Sequence, residues 1–124
     1  MKAIFIIALG GAIGSISRYG SQIYLYKLYP FVFPMGTFLV NISGCLLIGI
    51  LYGLSEKGNL LSPEWRLFLI TGFCGGFTTF STFAYENVNL LRNSDFLYFG
   101  LYTLSSVVLG IVGVYLGIFL IKSF

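Results

Sequence analysis

The chain has 124 residues, of which 57% are hydrophobic and only 9% charged, with a mean hydropathy of +0.93. Soluble domains carry about 25% charged residues, so the composition excludes a soluble domain and indicates an integral membrane protein. The net charge of +3 is too small and scattered for a nucleic-acid footprint, and the absence of histidine removes the commonest general base and metal ligand.

In chain order, four apolar stretches are long enough to cross a hydrocarbon core of about 30 Å at about 1.5 Å per residue. The predicted helices cover 3–26, 34–55, 63–91 and 95–122, in one transmembrane domain spanning 1–124. The first stretch contains an arginine and outruns signal-peptide length, so no cleavable leader is expected. Pro30 and Pro34 bracket a short aromatic loop before the second. Ser62-Pro63-Glu64 reads as a helix start: Ser as N-cap, Pro at the first position, an acid in the first turn. Arg92-Asn93-Ser94-Asp95 is a tight turn into the last span. Cys45 and Cys74 fall inside apolar segments, form no CxxC pair and read as small buried thiols.

The third stretch holds the unusual residues. Gly72 to Phe83, GFCGGFTTFSTF, contains three glycines, four hydroxyl side chains, four phenylalanines and one cysteine, with no charge. Gly, Thr and Ser have poor helix propensity. Interrupted backbone at membrane depth is tolerated only where protein buries it or a water-filled path runs beside it. The expectation is a helix interrupted near 72–79, with Phe77, Phe80 and Phe83 on one face wherever the backbone is helical. Ring edges are weakly positive and can face an anion without holding it hard. A break also frees N–H groups for anions and carbonyls for a cation.

Polar residues inside the spans carry the functional argument, because burying them in lipid is costly. Arg18 shares a small and polar stripe with Gly11, Gly14, Ser15 and Gln22; it either snorkels to the interface or makes an anion-attracting vestibule. Thr37, Asn41 and Gly44 share a face of the second helix, and the Asn41 amide serves either an interhelical packing bond or a pore. Glu86, one turn beyond Phe83, reads equally as a proton carrier, a pore-mouth charge or an interfacial residue. Tyr98, Tyr102 and Ser106 recur every four residues on the last helix, and Gly110 and Val114 continue that row without a hydroxyl.

Basic residues are nearly balanced across the spans. Lys2, Lys57, Arg66 and Lys122 fall on one side, against Lys27 and Arg92 with Arg18 nearby. Under the positive-inside rule this fits either weak orientation with cytoplasmic termini or copies that insert both ways and pair antiparallel. Four helices of this length can hardly enclose a pore, so association is expected. Gly10-xxx-Gly14, Gly49-xxx-Gly53 and Gly113-xxx-Gly117 supply contact faces, within or between subunits.

The central motif, with Gly10-Gly11-Ala12-Ile13-Gly14, Arg18-Tyr19 and Gly36-Thr37-Phe38-Leu39-Val40-Asn41, resembles the CrcB/Fluc family of fluoride channels over essentially the whole chain. The resemblance implies an all-α integral membrane fold: four transmembrane helices per subunit, a break in the third, and an antiparallel dual-topology homodimer. Such a dimer would sit in the cell inner (plasma) membrane among lipid and carry two fluoride pores. By the resemblance, Phe80 and Phe83 offer ring edges to fluoride, Asn41 is the pore asparagine and Arg18 the vestibule arginine. Glu86 matches the acid just after the motif, and Ser106 with Tyr102 matches the hydroxyl track of the last helix. Thr37, Ser81 and Thr82 join the expected fluoride path. The backbone oxygens of Gly75 and Thr78, from both subunits, would enclose a structural sodium ion at the dimer interface. Gly110 and Val114 depart from the hydroxyls common in the family.

Two rivals come from other classes. A small proton-coupled exporter of the multidrug/fluoride type would use Glu86 as its acid, yet the first two spans offer no carboxylate within them for a substrate cavity. A non-conducting scaffold would leave the clustered Thr, Gly and Asn without a task. No nucleophile–base pair or metal cluster suggests an enzyme.

Overall fold

Long apolar runs without an internal proline make continuous helices of three of the four spans. The computed structural model describes residues 1–124 and is all-helical, with α1 at Lys2–Leu28 and α2 at Met35–Glu56. The third span is built from two pieces, α3 (63–77) and α4 (Phe80–Arg92), and α5 runs Phe96–Ser123. All four spans are long and apolar enough to cross a membrane, and the chain is a multi-pass membrane protein.

Ser62 caps α3 by accepting the Trp65 N–H at 3.3 Å, with Pro63 in the first turn, as the local sequence predicts. Hydrogen bonding then widens to π-helical geometry over Leu67–Cys74 before the α-helical turn Gly75–Phe77. Segments of this geometry are rare and occur frequently at functional sites. After α4, the N–H groups of Ser94 and Asp95 bond back to Leu91 O and Leu90 O, turning the chain into α5.

The spans pack chiefly as two pairs, α1 on α3 and α2 on α5. Lipid supplies no hydrophobic drive between helices, so close packing must do that work. Glycine makes it possible. A Cβ at Gly72 would lie 2.9 Å from Gly10 Cα and Ile7 O, and one at Gly49 would lie 2.9 Å from Val114 Cα. A Cβ at Gly117 would meet Ile50 N at 2.7 Å. The three small-residue pairs flagged in the sequence thus all serve contacts inside the subunit.

At one end, Lys2 Nζ lies 3.7 Å from Glu64 Oε1 and Lys122 Nζ lies 3.2 Å from Glu56 Oε2. Lys57 Nζ also donates to Ile121 O at 3.0 Å. Exposed pairs of this kind add little stability. They do show that the start of α1 lies beside the start of α3, and the end of α2 beside the end of α5.

Candidate functional site

The third span leaves helical geometry at two residues. Thr78 (φ −86°, ψ 154°) and Thr79 (φ −148°, ψ 111°) are extended, while residues 72–77 remain helical. The interruption is therefore shorter than the expected 72–79, and the glycines do not unwind the backbone. Gly72 and Gly76 instead let α3 touch α1, with a Cβ at Gly76 meeting Ser15 N at 3.1 Å.

Asn41 on α2 closes the gap. Its Nδ2 donates to Thr79 O at 3.0 Å, and its Oδ1 accepts the Thr79 N–H at 2.8 Å. One side chain thus satisfies both backbone groups of one residue, as a neighbouring strand would. Thr79 Oγ1 then caps α4 by accepting the Thr82 N–H at 3.2 Å. Ser81 Oγ and Thr82 Oγ1 lie within 3.3 Å and 3.0 Å of Thr79 Oγ1, so both belong to this cap.

These diversions leave two carbonyls without their helical donors. The Thr79 N–H would bond Gly75 O in a continuous helix, and the Thr82 N–H would bond Thr78 O. Such oxygens suit a hard cation, which takes oxygen ligands. Gly75 is exposed, and a Cβ there would meet nothing within 4 Å, so this face of the break is open.

A groove of 440 Å³ runs beside the break between α2, α4 and α5. Asn41, Thr78, Thr79 and Ser106 give it polar atoms, and Phe80 and Phe83 give it ring surface. Phe80 is 79% exposed, and its ring lies 5.7 Å from that of Phe83, which meets Tyr102 edge-on at 4.9 Å. Ser106 Oγ is buried and has no hydrogen-bond partner. Beyond it the wall is Gly110 and Val114, apolar as the sequence row implies. Phe77 is not part of this surface. The extended residues rotate α4 relative to α3, and Phe77 stacks on Phe73 with centroids 5.5 Å apart.

Four other predicted residues lie elsewhere. Thr37 and Tyr102 are fully buried and meet at Glu86 rather than in the groove. Thr37 Oγ1 and Tyr26 Oη donate to Glu86 Oε1, the latter at 3.4 Å, while Tyr102 Oη reaches Oε2 at 3.5 Å. Gln22 Nε2 donates to Thr37 Oγ1 at 3.0 Å. Three hydroxyls on one carboxylate satisfy a half-buried charge that would otherwise be costly. Arg18 stands apart, its Nε donating to Gly76 O at 3.0 Å.

The family model described as "CrcB-like protein, Camphor Resistance (CrcB)" matches residues 5–118. The chain belongs to this family. A relative from Flavobacterium psychrophilum, named "Fluoride-specific ion channel FluC", is 48% identical over 122 residues, covering 98% of each chain. A relative of the same name from Leptospira interrogans is 43% identical over 99% of this chain and 97% of its own. A third, from Phocaeicola vulgatus, is 48% identical over 97% of this chain and 98% of its own.

Some site-forming residues of this CrcB-family member escape the sequence reading. Tyr26 extends the Arg18–Gln22 stripe by one more i+4 step, a signal that was available. Asn87 and Thr103, joined between α4 and α5 at 3.0 Å, gave none, since an amide and a hydroxyl in separate spans carry no motif.

Proposed function

We propose that this chain is the subunit of a fluoride-selective channel that lets cytoplasmic fluoride cross the plasma membrane passively, down its electrochemical gradient. The observation that carries the reading is Ser106 Oγ, a buried hydroxyl with no partner in a groove that also presents the Phe80 and Phe83 rings. Membership of the CrcB family and the names of its relatives support the same anion.

The mechanism follows from what fluoride demands. The ion is small and strongly hydrated, so passage requires donors that replace water without trapping it. The groove supplies the Ser106 hydroxyl, the second Nδ2 hydrogen of Asn41 and weakly positive ring edges. It contains no lysine or arginine to hold the anion tightly. Asn41 chiefly braces the break, and its remaining hydrogen is what it offers an ion. Past Ser106 the apolar Gly110–Val114 wall gives no side-chain donor, so a fluoride there keeps bound water on that side. Arg18 and Glu86 act outside the groove, as a fixed positive charge beside the break and a compensated acid at its far end.

The working unit in this reading is an antiparallel, dual-topology homodimer with one pore per subunit. The near-balanced basic residues and the open face at Gly75 support it. Gly75 and Thr78 carbonyls from both subunits would hold a structural sodium ion where the two breaks meet. Gly75→Trp then shifts the purified protein from dimer to monomer on sizing with light scattering; an intact dimer refutes that interface. Exchanging sodium for a large organic cation lowers dimer stability; an unchanged unfolding curve removes the ion from the scheme.

A proton-coupled exporter needs its carboxylate in the substrate cavity, and Glu86 does not line the groove. Fluoride release from proteoliposomes, with and without a potassium ionophore and with chloride as control, separates the two. Efflux that needs the ionophore and spares chloride is expected. Efflux driven by a proton gradient would overturn the channel reading, as would none from a folded dimer.

A further inference from the structure

The half-helix α4 is only 13 residues long and begins directly at the break, yet it carries Phe80, Phe83 and Glu86. Most of its surface faces away from the subunit, and only Asn87 and Leu90 are buried. Its rotation about its own axis decides whether the Phe83 ring faces the groove. A short helix with so few buried anchors needs something directional to fix that rotation, because apolar contact alone is non-directional.

Asn87 has the geometry for it. Its side chain is buried, at 7% exposure, and both ends of the amide are engaged. Nδ2 donates to Phe83 O at 3.0 Å, one turn back along the same helix. Oδ1 accepts from Thr103 Oγ1 of α5 at 3.0 Å. Thr103 directly follows Tyr102, whose ring meets Phe83 at 4.9 Å and whose hydroxyl reaches Glu86. The chain of contacts Phe83 O–Asn87–Thr103 therefore ties the backbone that bears the Phe83 ring to the strip of α5 against which that ring packs. Glu86 and Tyr102 make the only other polar tie between these two helices, at a longer 3.5 Å.

We propose that Asn87 and Thr103 form an interhelical clamp that sets the rotation of α4, making both positioning residues for the Phe83 face of the fluoride path. The proposal rests on the channel reading. Neither side chain lines the groove, so each acts through Phe83 rather than on the ion.

The test measures fluoride efflux from proteoliposomes as a function of fluoride concentration for Asn87→Leu, Thr103→Val, the double variant and Thr103→Ser. Destabilisation alone reduces the number of active dimers and scales the flux without moving the half-saturating concentration. A rotated Phe83 moves it. Each single variant is expected to shift half-saturation by about threefold, the equilibrium factor carried by an average interhelical hydrogen bond in a membrane. The double variant shifts it no further than the larger single one, and Thr103→Ser, which keeps the hydroxyl, restores the wild-type value. Half-saturation unmoved in the single variants, or additive shifts in the double, overturns the clamp. If Asn87→Leu does not assemble, Thr103→Val decides by the same readout, since it leaves the Asn87–Phe83 bond intact. A wild-type protein that passes no fluoride refutes the channel reading itself, whatever the variants do.

Discussion

Replacing Asn41 by Ala removes two hydrogen bonds from the backbone of a single residue, Thr79, at membrane depth. The Thr79 N–H loses its acceptor at 2.8 Å and the Thr79 C=O loses its donor at 3.0 Å. Each buried backbone group left unpaired costs about 1–3 kcal/mol, so the pair amounts to about 2–6 kcal/mol less whatever groove water returns. Asn41→Asp is the informative companion. One carboxylate oxygen still accepts the Thr79 N–H, while the other replaces Nδ2 and faces the Thr79 carbonyl with lone pair against lone pair. The expected order in thermal unfolding midpoint is Asn above Asp above Ala, whereas fluoride flux falls in both variants and falls furthest in Asp, whose carboxylate lines the groove and repels the anion. Unfolding is followed by sizing after heating in detergent, and flux by electrode from proteoliposomes. An Ala variant that unfolds with the wild type would refute the bracing role. Lost flux at unchanged stability would instead make Asn41 a ligand of the ion and nothing more.

Ser106→Ala deletes a buried hydroxyl that has no protein partner, so stability is expected to hold or rise while fluoride flux falls about tenfold, the factor for one hydrogen bond to a charged group. Equal flux would remove Ser106 from the path. Gly72→Ala forces a Cβ to within 2.9 Å of the α1 backbone, and overpacking of this kind costs about 1–3 kcal/mol. A lower unfolding midpoint checks it, and an unchanged one would show that α1 and α3 can separate freely. Glu86→Gln keeps one carbonyl acceptor for the surrounding hydroxyls, so a channel retains ionophore-dependent efflux; abolished transport in a folded dimer would favour proton coupling.

Much of the architecture was legible in the sequence because it is written in local patterns. Apolar run length decided the four spans, and Ser62-Pro63 decided where the third begins. The Gly72–Phe83 composition marked the segment that carries the site. Poor helix formers do mark an irregular stretch, but they do not say which of them leaves the helix. That choice depends on a partner 38 residues away, since Asn41 satisfies both backbone groups of the extended Thr79. The same limit hid the fate of the glycines. A small-xxx-small pair declares a contact face without naming its partner, and only the packed subunit shows Gly10 and Gly72 against each other. Phe77 left the aromatic row because spacing by three assumes a continuous helix, which two extended threonines interrupt. The surroundings of Glu86 were equally non-local, since Tyr26, Thr37 and Tyr102 come from three other helices. Periodicity and propensity act over a turn or two and fixed the elements; the pairing of polar groups across helices, which lipid makes obligatory, is a property of the tertiary structure alone.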